Sequence, residues 1–143
     1  MTIAGSLRTA LFILLAWGAG IAHAAGGFTD VDAVEVRRLV GEGVTVVDVR
    51  RADEWRSTGV IEGSTLITAF DASGRFNPEF PAAIAAAARP DQPVLVICWT
   101  GNRSKVIAEA LAEQAGYSRV FNAVGGMQEW LRAGGPVGDC RSC

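Results

Sequence analysis

Short β-branched runs that alternate with helical stretches predict an α/β domain built on a mostly parallel sheet. Two segments carry most of that prediction. Val94-Leu95-Val96-Ile97 is apolar at four consecutive positions, as a strand buried on both faces of a parallel sheet must be. Val44-Thr45-Val46-Val47-Asp48-Val49 is a β-branched run of strand length. Stretches with helical spacing, bounded by glycine or proline, separate these strands.

In chain order, Thr29 or Asp30 is a candidate cap for a first helix with Val31, Val34, Leu39 and Val40 on its apolar stripe, ending at Gly41. The strand at 44–49 follows, then a short helix over 52–58 and a short strand over 64–68. Alanine content makes 81–88 a helix, with Pro81 tolerated in its first turn. After the strand at 94–97, Val106, Ile107, Ala110 and Leu111 mark a helix that Gly116 terminates. Arg119-Val120-Phe121 is a further strand, and 125–133 a last helix carrying Met127, Trp130 and Leu131. Trp55 and Trp130 are expected to pack in the core or at its rim.

The chain of 143 residues has room for one such domain. Its net charge of −2 provides no basic field for nucleic acid. The first 24 residues are set apart. Arg8 precedes an apolar run of 13 residues, Ala10 to Ala22, and Ala22-His23-Ala24 follows. That is the secretory signal pattern, and the run is shorter than the roughly 20 residues needed to span a bilayer as a helix. Cleavage after Ala24 leaves a domain over 25–138 and a tail over 139–143, in the periplasm or outside the cell. The membrane is then a partner only before cleavage.

Cleavage also removes His23, the only histidine. Ser-His-Asp and Cys-His catalysis, and zinc sites needing imidazole, are thereby excluded from the mature domain. Three cysteines cannot make a four-thiolate site. The remaining chemistry rests on cysteine, carboxylate, arginine and backbone, with no metal or cofactor expected.

Cys98 stands at the carboxyl end of the buried strand, where open α/β sheets place their sites. The loop from Cys98 to Ser104 leads into a helix start, whose amides and dipole favour an anion. Gly101 permits the tight curve, and Arg103 adds a permanent cation. Such a cradle suits a thiolate or persulfide.

Cys98-Trp99-Thr100-Gly101-Asn102-Arg103-Ser104 resembles the active-site loop of rhodanese domains, C-x-x-G-x-R-S. Three further segments match in order. Asp48-Val49-Arg50 with Glu54-Trp55 resembles D-x-R-x-x-x-E-aromatic. Gly59 to Ser64 resembles G-H-I-x-G-A/S, and Gly125-Gly126-Met127 with Trp130 and Gly135-Pro136-Val137 resembles the closing G-G-hydrophobe…W…G-x-P-V. The likeness runs over about residues 28–137.

The resemblance implies a rhodanese-like fold, a five-stranded mostly parallel sheet with helices on both faces. It implies a sulfurtransferase in which Cys98 forms a persulfide and passes sulfur to a thiol, a protein thiol or cyanide. Trp99, Thr100, Gly101, Asn102, Arg103 and Ser104 would bind the substrate sulfur, and Asp48 and Arg50 would support the loop. The persulfide would be the only covalent intermediate. A non-catalytic module that carries sulfur for a partner protein is the alternative.

The departures bear on the donor. Val60 replaces a frequent family histidine, and Trp99 and Thr100 are neutral where thiosulfate-efficient members often carry cations. An organic or protein persulfide suits this lip better than dianionic thiosulfate. The C-x4-R spacing is one residue shorter than the C-x5-R of related phosphatases and arsenate reductases, and argues against an oxyanion loop.

Glu54 is expected to pair with an arginine near it, such as Arg50. Cys140 and Cys143 form either an inert tail disulfide or a redox pair that takes or resolves the sulfur on Cys98.

Overall fold

The computed structural model describes residues 27–140 and 143. The proposed signal segment lies outside them. Five strands, β1 (Thr29–Val31), β2 (Thr45–Asp48), β3 (Thr65–Leu66), β4 (Val94–Ile97) and β5 (Val120–Ala123), form one sheet in the order β1-β5-β4-β2-β3. Every named pairing is parallel. Helices α1 (Ala33–Gly41), α2 (Ala52–Thr58), α3 (Phe80–Ala87), α4 (Asn102–Glu113) and α5 (Gly126–Arg132) complete the domain.

Strand β4 shows why four apolar residues stand in a row. Val94 and Val96 pack with Ile84 of α3 and with Ile107 and Leu111 of α4 on one face. Leu95 and Ile97 point to the other, against Val36 and Leu39 of α1 and Met127 and Trp130 of α5. Alternate side chains of one strand thus feed two cores, and the strand runs through the middle of the sheet. Burial of such side chains supplies about 1.5–3 kcal/mol each.

Two expectations at the amino end are corrected. Thr29 and Asp30 do not cap α1; they form β1 with Val31, in register with Phe121, Asn122 and Ala123 of β5. The cap is Asp32, whose carboxylate accepts from the Glu35 amide at 2.9 Å. The buried side chains of α1 are Val36 and Leu39, and Val34 is left exposed. Val106 of α4 is likewise exposed, with Ile107, Ala108, Leu111 and Ala112 facing the core. The remaining helices and strands lie where the sequence places them: α2 and β4 match to the residue, and the ends of the others shift by one or two, with β5 running on to Ala123.

Candidate active site

Cys98 follows β4 directly and is fully buried, at the carboxyl edge of the sheet between the ends of β2 and β5. The loop bends back at Gly101, whose φ is +91°. A side chain there would strike the Ala123 carbonyl and the Gly125 amide, at 2.9 and 3.0 Å, so only glycine fits. The turn brings the Gly101 N–H to 3.2 Å from the Cys98 sulfur, to which it donates. Ser104, at the first turn of α4 and also buried, puts its hydroxyl 3.4 Å from the same sulfur.

The closing glycine pair holds the other side of this loop. The Met127 amide donates to the Cys98 carbonyl at 2.8 Å, and the Gln128 amide to the Trp99 carbonyl at 3.1 Å. Gly126, at φ +56°, lets α5 come this close, since a Cβ would run into those two carbonyls. The free amides at the start of α5 therefore bind the first two peptides of the loop.

Asp48 and Arg50 form a buried ion pair. Arg50 Nε donates to Asp48 Oδ1 at 2.9 Å and Nη2 to Oδ2 at 2.7 Å. The rest of the guanidinium reaches the end of α2, donating to Thr58 Oγ1 at 2.7 Å and the Gly59 carbonyl at 2.9 Å. The pair ties the end of β2 to α2, and α2 carries the residue that meets the loop.

That residue is Glu54, and its expected partner is corrected. Arg50 is turned inward to Asp48, so only its contact to the Glu54 carbonyl remains. The Glu54 carboxylate instead takes both ends of Arg103, from Nη1 at 2.8 Å and Nη2 at 2.6 Å. It also accepts from the Arg51 amide at 3.1 Å. Burial opposes its ionisation, yet the Arg103 and Arg51 hydrogen bonds win and hold the carboxyl below its usual range. Arg103 is held above its usual value, chiefly by the same hydrogen bonds.

The structure brings Gly101 and Ser104 to the Cys98 sulfur, turns Arg103 to Glu54, and pairs Asp48 with Arg50 at the end of β2. Trp99 is half-buried and faces a cleft of about 260 Å³ lined by Asp53, Glu54, Ser57 and Thr58. Thr100 and Asn102 are exposed on the loop. A larger groove of about 410 Å³ between α3 and α4 includes no residue of the loop. Cys140 and Cys143 are joined as a disulfide. The strand-like bridge between Val60 and Gly138 anchors the tail behind α2, where Arg56 donates to the Cys143 carbonyl at 2.7 Å.

The Rhodanese-like domain family matches residues 32–133. The chain belongs to that family. A thiosulfate sulfurtransferase GlpE from Actinobacillus pleuropneumoniae serotype 3 is 30% identical over 111 residues, 77% of this chain and 93% of that one. Another, from Actinobacillus succinogenes, is 49% identical over 47 residues; the match spans 33% of this chain and 41% of that relative's length. A solved rhodanese-related protein from Thermoplasma volcanium superposes with a TM-score of 0.61 at 28% identity, over 77% of this chain and 97% of that one. This rhodanese-like domain therefore sits in a sulfurtransferase family.

Asn122 is a residue of the site to which nothing in the sequence reading points, and Asp30 enters the site through it rather than as a helix cap. Asn122 of β5 is buried, and its Oδ1 lies 2.7 Å from the Ser104 hydroxyl. Its Nδ2 donates to Asp30 Oδ1 of β1 at 2.7 Å. The readable signal was polarity, since an asparagine interrupts the apolar run of β5.

Proposed function

We propose that this rhodanese-like domain is a persulfide-forming sulfurtransferase whose donor is an organic or protein persulfide. The Cys98 thiolate attacks the outer sulfur of the donor. The donor S–S bond breaks, its thiolate leaves, and Cys98 carries the sulfur as a persulfide. An acceptor thiolate, or cyanide, then attacks that outer sulfur and Cys98 returns as a thiolate. Atoms balance without metal, cofactor or net redox change. The apolar run over residues 10–22 supports a periplasmic or extracellular setting for this work.

The observation that carries the reading is the Gly101 amide donating to a cysteine sulfur at the end of the central strand. The donor preference rests on four arginines of the loop and its neighbouring segments that already meet carboxylates. Arg103 meets Glu54, Arg51 meets Asp53, Arg75 meets Asp71 and Arg50 meets Asp48. With Trp99 and Thr100 neutral, a dianion finds little uncompensated charge.

Incubation of purified protein with an organic persulfide, followed by mass spectrometry, tests the reading. One added sulfur on Cys98, absent from Cys98→Ser, is the expected result, with steady turnover to a thiol acceptor. No adduct on Cys98 would defeat it. An adduct that passes to one protein partner but never turns over with small thiols would favour the sulfur-carrying module.

A further inference from the structure

The chain of polar groups behind Cys98 has an order set by chemistry. Asp30, as a carboxylate, can only accept, so Asn122 must present its NH2 to Asp30 and its Oδ1 to Ser104. The Ser104 hydroxyl has one proton and two acceptors facing it, Asn122 Oδ1 at 2.7 Å and the Cys98 sulfur at 3.4 Å. Ser104 and Asn122 are both buried, so solvent offers little substitute for a lost hydrogen bond between them. Asp30 opens onto a surface cleft of about 140 Å³ shared with Asn122, Gly101 and Lys105.

We propose that Asn122, oriented by Asp30, is a positioning residue that keeps the Ser104 proton away from sulfur in the resting domain. With the proton on Asn122 Oδ1, the Ser104 oxygen accepts from the Cys98 thiol. When Cys98 ionises or carries a sulfur anion, the hydroxyl turns to the sulfur and Asn122 Oδ1 is left without a donor. The pair thus opposes the Gly101 amide and restrains the nucleophile. The proposal deepens the sulfurtransferase reading and rests on Cys98 as its nucleophile.

Other charges on the loop and on the elements around it must be held constant. They are Arg103 with Glu54, Asp48 with Arg50, and Lys105, 3.7 Å from Asp30. On α5, which packs against the loop, Glu129 is taken by Arg132.

The test measures iodoacetamide alkylation of Cys98 against pH, with Cys140→Ser and Cys143→Ser as background. Asp30→Leu removes the acceptor that orients Asn122, whose amide then turns, donates to Ser104 and drives the hydroxyl proton to sulfur. The profile should move to lower pH by about one unit, the equivalent of one buried hydrogen bond. Alkylation on the acid side should rise about threefold, because a weaker base is also a weaker nucleophile. Asn122→Leu should move the profile the same way. Asp30→Asn keeps an acceptor oxygen but loses the charge, and should stay near wild type. Ser104→Ala should make the profile insensitive to Asp30→Leu. Equal shifts in Asp30→Asn and Asp30→Leu would mean that charge, not orientation, acts on the sulfur, and would overturn the proposal. So would unmoved profiles in both Asp30→Leu and Asn122→Leu. Because alkylation needs no sulfur donor, either failure leaves the sulfurtransferase reading to its own test.

Discussion

Glu54 grips Arg103 through both guanidinium Nη atoms, at 2.8 and 2.6 Å, across 49 residues of sequence. The loop arginine is thereby committed to α2, and its charge is neutralised where an anionic donor would need it. The pair is partly sheltered, with side-chain exposures of 26% and 17%. Its worth is about 1 kcal/mol, near the top of the range for pairs that solvent still reaches.

The pH dependence follows from the depressed ionisation of Glu54. A carboxyl ionised more readily in the folded state stabilises the fold above its unfolded value, close to 4.5, and loses that contribution as pH falls through the lower folded value. Glu54→Gln should therefore melt about 4 °C below wild type at neutral pH. The gap should close as the solution is acidified past the unfolded value. A gap that persists unchanged in strong acid would mean that the carboxylate charge is not what holds the loop.

Saturation of the local cations predicts how the domain treats thiosulfate. Thr100 is exposed on the loop, and a lysine there would add a cation with no carboxylate assigned to it. A unit charge at about 4 Å is worth roughly 4 kcal/mol at an effective dielectric near 20, before desolvation and screening reduce it. Thr100→Lys should lower KM for thiosulfate about fivefold and make it more sensitive to salt, while an organic persulfide responds little. Tight thiosulfate binding by the wild type, with no gain in the variant, would show that the ion-paired arginines still serve the donor.

The tail gives a cleaner expectation than the sequence allowed. Cys140 and Cys143 are paired, and Arg56 and the Val60–Gly138 bridge hold the segment on the α2 side. A Cys140→Ser/Cys143→Ser protein should retain most of its turnover with a small thiol acceptor and lose little stability, because a four-residue loop restrains the unfolded chain only slightly. A large fall in turnover would make the tail the first acceptor of the sulfur.

What the sequence could and could not disclose divides along contact distance. Strand β4 and the Cys98–Ser104 loop were legible because their information is local: four apolar neighbours, then a glycine and an arginine at set offsets. Strand β1 was not. Thr29-Asp30-Val31 is too short and too polar to declare itself, and becomes a strand only by pairing with β5. Sequence distance points Glu54 to Arg50, four positions away, yet a buried guanidinium needs several partners at once and Arg50 finds them in Asp48, Thr58 and Gly59. Arg103 was left as the partner, and only the fold brings it there. Asn122 and Asp30 belong to the same class, since nothing in either strand alone points to the other.

The Asp48–Arg50 pair provides the sharpest stability prediction. Both side chains are almost wholly buried, with exposures of 1% and 0%. Asp48→Ala would leave the Arg50 guanidinium buried with its charge uncompensated, which costs about 3–5 kcal/mol. The Asp48→Leu/Arg50→Met double variant removes both charges and replaces them with apolar volume, so it should recover much of that loss. It will not recover the ties to Thr58 and Gly59, so α2 should loosen and the Glu54–Arg103 contact with it. Urea unfolding of the three proteins measures the first effect, and sulfur transfer from an organic persulfide the second. The double variant should be more stable than Asp48→Ala and still transfer sulfur more slowly than wild type. If it regains stability and full turnover together, the buried pair serves the fold alone and does not position the loop through α2.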